Sequence, residues 1–244
     1  MRRLGFTLFT AWAVCLVLAA CVGCTTTVGG TAVGVGGAQK HTTVQASGLP
    51  ALLLSLDEMK ELLKFSDMAS TDTWTAPDPR GVFDPAGCVG AIFSGMSGSF
   101  DGSAYREFYE IRSQDVTPTG QFHWVDQGVA TFGDAKAAQA FVTGQVALWR
   151  QCTGKQFKYA FPAPGDWGEP YVVGSTTQSG CVTMVNNTVV DDKRYDDIRL
   201  LAVKSNVVVD LQFTGFSVSD EPMAAVTRIL SRIPSQRHDC AFWG

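Results

Sequence analysis

Three histidines are the imidazole bases available for nucleophilic or acid–base chemistry in this chain of 244 residues. Nucleophilic catalysis needs a serine or cysteine beside such a base. His41 and His238 lie towards the two ends of the chain, which leaves His123, next to Trp124. The pattern G-x-S-x-G does not occur, and the string Gly95-Met96-Ser97-Gly98 lacks the second glycine in place. A histidine without an identifiable partner is more often a surface or capping residue, so we predict no catalytic residue.

The densest charge cluster runs from Asp191 to Asp197 and reads DDKRYDD. Its four carboxylates could bind calcium, but the spacing lacks the alternating acidic positions and the glycine of a calcium loop. A solvated hairpin turn with internal acid–base pairs explains the cluster better. Glycine-rich phosphate loops are also missing, since neither G-x-G-x-x-G nor G-x-x-x-x-G-K occurs. We therefore predict no metal site and no cofactor.

A set of polar side chains on predicted strands is the best candidate for a binding site. Amide and guanidinium groups beside aromatic rings suit a cleft for a polar ligand, such as a sugar or an acidic head group. The alternative is an ordinary solvent-facing sheet surface, with any buried glutamine hydrogen-bonded to backbone. The ligand-binding candidates are Tyr105, Arg112, Gln114, Gln127, Arg199 and Asp210, with Tyr109 and Trp124 nearby.

The elements that must position these residues form an irregular order of helices and strands. Ser55 begins a capping box, Asp134 can cap a long helix, and Ser219 can cap a last one. A short helical piece is predicted over 88–93 and a loop over 74–85. Strands are predicted at 108–114, 124–132, 171–177, 181–187, 198–204 and 207–213. Without regular βαβ alternation, the sequence predicts an α+β domain in which an antiparallel β-sheet packs with helices.

The N-terminus reads MRRLGFTLFTAWAVCLVLAAC, with two arginines before an apolar run that is too short to span a bilayer. Leu18-Ala19-Ala20-Cys21 resembles the bacterial lipobox, in which the cysteine is lipidated and becomes the mature N-terminus. The resemblance implies a signal peptide over 1–20 and acyl chains on Cys21 that attach the protein to the membrane. A soluble secreted protein cut nearby is the alternative. The Gly-, Thr- and Ala-rich stretch that follows predicts a flexible tether over 21–49, with the folded domain over 50–244.

Charge excludes one class of partner. The chain carries 19 Lys+Arg and 23 Asp+Glu, a formal net charge of −4, and has no basic block to hold a phosphate backbone. Nucleic acid is therefore not an expected partner.

Cysteine usage indicates an oxidising compartment. Four of the seven cysteines fall in the predicted domain: Cys88, Cys152, Cys181 and Cys240. In an exported domain four cysteines suggest two disulfides, with three possible connectivities. Zinc is the rival interpretation, but zinc sites use C-x₂₋₄-C pairs and these cysteines are scattered singly.

The domain resembles the extracellular sensor domain of the mycobacterial kinase PknH, a module that also occurs in free-standing lipoproteins. The matching residues run from about 84 to 215, and their order and spacing carry the resemblance. They are Asp84 to Cys88 with Gly90, Ile111-Arg112-Ser113-Gln114, Trp124, Gln127-Gly128-Val129, Phe132, Phe141, Trp149, Cys152 with Gly154, and Asn206-Val207-Val208-Val209-Asp210.

The resemblance implies an α+β domain with a polar cleft and two disulfides, one of which matches Cys88–Cys152. The second family bridge uses a cysteine just beyond the 206–210 strand, where this chain has Phe213-Thr214-Gly215. By elimination we expect Cys181 to pair with Cys240 instead.

Together these features predict a lipid-anchored domain at the extracytoplasmic face of the cell membrane. We expect a non-catalytic, sensor-like domain whose partners are the membrane, through Cys21, and a small polar ligand or an envelope protein. The alternatives are a cell-envelope hydrolase, which would need His123 beside both a serine and a carboxylate, and a structural or host-facing surface lipoprotein without a cleft.

Overall fold

The computed structural model describes residues 43–116, 122–161, 167–192 and 194–234, and in these ranges ten strands form one antiparallel sheet. Nine of the strands lie in the order β1-β3-β4-β10-β9-β8-β6-β5-β2, and β7 pairs with β8. Within the same ranges, five α-helices accompany the sheet. The predicted α+β class with an antiparallel sheet is therefore confirmed.

The strands are β1 (Ala69–Trp74), β2 (Val82–Asp84), β3 (Tyr105–Val116), β4 (Phe122–Phe132), β5 (Gln156–Ala160), β6 (Tyr171–Val172), β7 (Thr176–Ser179), β8 (Val182–Val189), β9 (Tyr195–Lys204) and β10 (Val207–Phe216). The helices are α1 (Leu56–Leu63), α2 (Val89–Ile92), α3 (Ser97–Phe100), α4 (Ala135–Cys152) and α5 (Glu221–Arg232). Short 3₁₀ turns cover Ala46–Gly48, Pro50–Leu52 and Ala86–Cys88.

The sheet is covered on both faces, so its central strands are almost continuously apolar. On β10, Val207, Val209 and Leu211 point into a core shared with α1 and α5. Val208 points the opposite way, into a core shared with α4. Side chains alternate between the faces of a strand, so this hydrophobic run serves two cores at once. Helix α4 buries Trp149 and Cys152 in the second core, while Leu148 is 41% exposed.

A disulfide joins Cys88 to Cys152, as the family resemblance implies. It ties the start of α2 to the end of α4, and both cysteines are buried. Because both sulfur atoms are in the disulfide, Cys88 and Cys152 are not available as thiolate ligands for zinc. Cys181 is not a free thiol, but Cys240 lies outside the described residues. The Cys181–Cys240 pair therefore stays a prediction, and Cys21 and the signal peptide also lie outside the described ranges.

The folded part begins before residue 50, which corrects the predicted end of the tether. The backbone N–H of Val44 donates to Oδ1 of Asn206 at 3.0 Å, and Nδ2 of Asn206 donates to the carbonyl of Val44 at 3.2 Å. The same Nδ2 also donates to the carbonyl of Phe132, at the end of β4. Leu49 is 1% exposed within the first core. Composition suggested a tether here because glycine and alanine dominate the stretch before it.

Three strands were missed by the sequence analysis, and one cap was misplaced. Strand β1 reads ASTDTW and is exposed along most of its length, so it shows no apolar alternation. β2 and β5 pair with each other at the opposite edge of the sheet. Helix α5 begins at Glu221 after Asp220, and no side chain caps it. Ser219 instead donates its backbone N–H to Glu221 Oε2 at 2.8 Å.

Candidate functional site

A cavity of about 290 Å³ opens between β3, β4 and β10 on one side and the segment 93–96 and strands β5 and β6 on the other. Its wall is predominantly aromatic, and polar groups of the sheet lie beneath it. The aromatic residues are Trp74, Phe93, Phe122, Trp124, Tyr159, Phe161 and Tyr171. The other lining residues are Asp78, Ser94, Met96, Glu110, Arg112, Asp126, Gln212 and Thr214. The domain thus has a concave site of the size and composition that small ligands use.

Arg112 lies between two indole rings at this site. Its guanidinium carbon is 4.8 Å from the ring centroid of Trp74 and 3.9 Å from that of Trp124. Nε and Nη2 donate to the two carboxylate oxygens of Asp126 at 2.8 and 3.0 Å. The Trp124 indole N–H donates to Asp126 as well, at 2.8 Å. The charge of Arg112 is therefore balanced within the wall of the cavity.

Strand register explains why these side chains meet. Arg112 and Asp126 are direct cross-strand partners on β3 and β4. Glu110, two residues before Arg112, projects from the same face of β3 and is paired with Gly128 on β4 and Trp74 on β1. Opposite-charge pairs placed directly across two strands stabilise a sheet, so Arg112 and Asp126 fix the floor of the site.

Glu110 is a second buried acid of the site, beside Asp126. It is 4% exposed, and its Oε2 atom has no hydrogen-bond partner in the described structure. A Cβ atom at Gly95 or at Gly128 would approach Oε2 within 3.0 Å, so glycine at these two positions makes room for the carboxyl. Burial, followed by repulsion from Asp126 and Asp210, raises the pKa of Glu110 well above its usual range.

Burial also acts on the pKa of four other titratable groups that line the cavity. Burial raises the pKa of Asp126, although the bonds from Arg112 oppose the shift. Burial also raises the pKa of the phenols of Tyr159 and Tyr171. At Asp78, burial would raise the pKa, but the hydrogen bonds and charge of Arg80 outweigh it and lower the pKa.

Arg199 and Asp210, two predicted ligand-binding residues, lie beneath the cavity wall and do not line the cavity. Nε and Nη2 of Arg199 donate to the carbonyl of Gly90 at 3.2 and 3.1 Å, and the guanidinium forms an ion pair with Asp210. The second oxygen of Asp210 accepts the N–H of Gly95 at 3.0 Å. The pair therefore fastens the segment 88–96 to the sheet, and neither of these two predicted ligand-binding residues reaches the cavity.

Two further buried amides fasten the same segment. Asn187 donates to the carbonyl of Ala91 at 2.8 Å, and Gln212 accepts the N–H of Ser94 at 3.4 Å. Both amides also donate to Asp197, which is fully buried. Burial raises the pKa of Asp197 despite its hydrogen bonds. A polar network on β8, β9 and β10 thus holds the segment that carries one wall of the cavity.

Four predicted ligand-binding residues remain, and among them Arg112 lines the cavity. Gln127 lies on the opposite face of β4, where it exchanges two hydrogen bonds with the backbone of Leu54 at 2.9 and 3.2 Å. Tyr105 packs edge-on against Phe100, with ring centroids 5.5 Å apart, away from the cavity. Gln114 is half-buried on β3 and is not among the lining residues. Of the six candidates the structure brings one to the cavity.

The sequence analysis missed Glu110 and Asp126, although the strands contain a signal for them. Glu110-x-Arg112 on β3 and Trp124-x-Asp126 on β4 place charged residues on one face of strands that are otherwise apolar. Charged residues inside a buried strand are rare unless they are paired or functional.

His123 does not meet the condition that the hydrolase alternative requires. It is buried on the opposite face of β4, where its ring stacks on Phe65 with centroids 3.6 Å apart. Nδ1 faces Oδ1 of Asp115 at 2.8 Å, and Nε2 faces the carbonyl of Phe216 at 3.1 Å. A carboxylate is therefore present, but the second nitrogen meets a backbone oxygen and not a serine hydroxyl.

The acidic cluster is a turn with an internal ion pair. Arg194 donates to both carboxylate oxygens of Asp192, at 2.8 and 2.6 Å, and the pair is exposed. Asp196 accepts the N–H of Val218, and Asp197 belongs to the buried network. Within the described ranges, no group of three or more His, Cys, Asp or Glu side chains is arranged to hold a metal ion.

The fold and its concave site define an α+β domain with a small-molecule-sized cavity, and comparison with known proteins identifies its family. The sequence model of the family described as PknH-like extracellular domain matches residues 44–232. The chain therefore belongs to the PknH-like extracellular domain family.

Among the described helices, none has the length and apolar character that a membrane crossing needs.

Its relatives include two mycobacterial kinases. Serine/threonine-protein kinase PknJ of Mycobacterium tuberculosis is 27% identical over 199 residues, which cover 78% of this chain and 33% of the kinase. Serine/threonine-protein kinase PknH of the same species is 26% identical over 197 residues, which cover 80% and 31%. The chain thus spans about a third of the length of these relatives.

A solved structure agrees with the fold. The crystal structure of the extracellular domain of PknH from Mycobacterium tuberculosis matches with a TM-score of 0.72 and 23% identity. The match covers 79% of this chain and 97% of that one. The expected resemblance to the PknH extracellular domain is confirmed.

Proposed function

We propose that this chain is a lipid-anchored, extracytoplasmic sensor-like domain that binds a small ligand and does no chemistry on it. The aromatic cavity of about 290 Å³ is the observation that carries the proposal. Rings supply apolar area, while Glu110, Gln212 and Thr214 supply a few fixed polar groups, which is the usual composition of a ligand site. The family match supports the extracytoplasmic location, because the family is that of an extracellular domain.

The arrangement of the polar groups supports binding over catalysis. A nucleophilic mechanism needs a base within hydrogen-bond reach of a nucleophile. His123 is held by Asp115 and a backbone carbonyl on the face of the sheet opposite the cavity. Arg112 and Asp126 hold each other rigidly in the cavity floor. Arg112 and Asp126 therefore define the shape and the charge of the cavity floor, which supports a role in binding a ligand.

Anchoring through Cys21 is part of the same proposal. Acyl chains contribute about 0.8 kcal/mol per buried CH₂, so two or more chains hold a protein at a membrane without a spanning helix. We further propose that Cys181 pairs with Cys240, which would tie the C-terminal tail to the start of β8. Lipidation and this second bridge are consistent with an exported protein.

Native mass spectrometry of residues 22–244 with envelope extracts tests the ligand site. We expect one small molecule bound per chain, and we expect Trp74→Ala to lose it because Trp74 forms part of the cavity wall. Trp167→Ala is the matched control, since Trp167 is 52% exposed and lies outside this cavity. Failure of any small molecule to bind, or equal binding by both variants, would overturn the ligand proposal.

Metabolic labelling with palmitate in a mycobacterial host tests the anchor. Cys24, three residues after Cys21, is the other cysteine beside the predicted cut and serves as the control. We expect label on the wild type and on Cys24→Ser, and none on Cys21→Ser. Label that persists in Cys21→Ser would refute the lipid site without affecting the cavity. Mass measurement after thiol alkylation tests the second bridge, because free thiols at Cys181 and Cys240 in the native protein would contradict it.

A further inference from the structure

The charged groups that line the cavity are three carboxyls and one guanidinium. Arg112 is bonded to Asp126 through two hydrogen bonds and lies between two rings, so it is not available to an incoming anion. Asp78 is bonded to Arg80 on its exposed side, at 2.7 Å between Oδ2 and Nη2. Glu110 is the lining carboxyl that no described cation holds by an ion pair.

Glu110 is nine-tenths buried and its Oε2 atom is unpartnered. The charged groups that act on it lie on four strands: Asp126 on β4, Asp210 on β10, Arg112 on its own strand β3, and Arg199 on β9. Burial, together with repulsion by the two carboxylates, exceeds the attraction of the two arginines and raises the pKa of Glu110. Burial and these charges therefore disfavour the carboxylate form of Glu110, and an added positive charge beside it would favour that form.

Aromatic rings line the same cavity as this carboxyl. Trp74 is the cross-strand neighbour of Glu110. Phe93, Tyr159 and Tyr171 form a cluster in the cavity wall, with ring centroids 5.1 to 6.0 Å apart. Organic cations bind to aromatic ring faces by cation–π attraction, and a nearby carboxylate adds an ion pair. An anionic ligand would meet Glu110, Asp126 and a guanidinium that is already paired.

We infer that the cavity selects an organic cation, a primary or methylated amine on an apolar or aromatic body, and that Glu110 is the anchor for its ammonium group. This inference rests on the proposed ligand site and replaces the sugar or acidic head group that composition suggested. On binding, the Glu110 carboxyl releases its proton to solvent and its carboxylate pairs with the ammonium group. No covalent bond forms.

Isothermal titration of residues 22–244 with three matched probes tests the inference: 3-phenylpropylammonium, 3-phenylpropanol and 3-phenylpropionate. Titration in two buffers with different ionisation enthalpies reports the protons released. We expect the ammonium probe to bind at least about tenfold more tightly than the other two, which corresponds to about 1.4 kcal/mol, and to release up to one proton. Glu110→Gln should remove both effects. Glu107→Gln, an exposed acid on the same strand, is the control and should keep them.

The other outcomes of the titration contradict either the choice of a cation or the role of Glu110. Equal binding of the three probes would leave a ligand cavity but overturn the choice of a cation, and tighter binding of the carboxylate would do the same. A preference that survives Glu110→Gln would remove Glu110 as the anchor. Binding of none of the probes would overturn this inference, while the extract experiment would still decide the ligand site. If Glu110→Gln fails to fold, proton release by the wild type decides, because ammonium binding without proton release contradicts the mechanism.

Discussion

Replacement of Arg199 by methionine tests whether this arginine supports the wall or contacts ligand. Arg199 is 1% exposed, forms an ion pair with Asp210 and donates twice to the carbonyl of Gly90. The substitution leaves the Asp210 carboxylate buried, with the Gly95 N–H as its remaining described donor. It also leaves the Gly90 carbonyl without the guanidinium. Both losses act on the segment 88–96.

The expected loss is about 3–5 kcal/mol in the free energy of unfolding, the usual effect of removing one partner from a buried ion pair. Urea denaturation followed by far-UV circular dichroism measures it. Arg232→Met is the matched control, because Arg232 pairs with Glu58 at a partly exposed position. Such pairs contribute about 1 kcal/mol or less, so the control should lose far less stability.

A double variant sharpens the test. Arg199→Met with Asp210→Asn removes the unpaired charge while it keeps an acceptor for the Gly95 N–H, so it should be more stable than Arg199→Met alone. Our reasoning fails if Arg199→Met unfolds as the Arg232→Met control does, or if the double variant shows no recovery. Either result would make Arg199 available again as a ligand-binding residue.

Two further predictions concern the disulfide and the buried acid. Removal of the bridge by Cys88→Ala with Cys152→Ala opens a loop of 64 residues in sequence separation, and the loop-entropy relation gives a loss of about 4 kcal/mol. Urea denaturation should show this loss, and reductant should destabilise the wild type more than the variant, which keeps the proposed Cys181–Cys240 bridge. The raised pKa of Glu110 stabilises the fold below the usual carboxyl pKa, and that stability is lost as the pH rises towards the raised value. The unfolding free energy of Glu110→Gln should therefore rise relative to the wild type across this window by at most about 1.4 kcal/mol per pH unit, and a constant difference would contradict the assignment.

Much of the fold followed from local pattern. The capping box at Ser55 and the cap at Asp134 begin helices where the sequence predicted them. The apolar run of β10 marked a buried strand because both of its faces meet a core. Strand β1 could not be predicted in the same way, since its exposed residues carry no alternation and its pairing with β3 depends on tertiary structure.

The site was less predictable than the fold. The polar residues on the predicted strands included Arg112, which lines the cavity. Which polar side chains meet depends on the face of the sheet from which each one projects. Gln127, one residue after Asp126, lies on the opposite face for that reason. The aromatic wall is assembled from Trp74, Phe93 and Tyr171, which are far apart in the sequence, so no local motif marks it.

The attachment of the N-terminal segment has a mechanical consequence. A pull on the chain ahead of Val44 is transmitted first to the side chain of Asn206, which holds Val44 by both its N–H and its carbonyl. Because the same amide also bonds to Phe132, the load passes directly into the paired strands β4 and β10 at the centre of the sheet. Strain along the chain would thus be carried by interior strands, and the edge strand β1 beside the cavity would be spared.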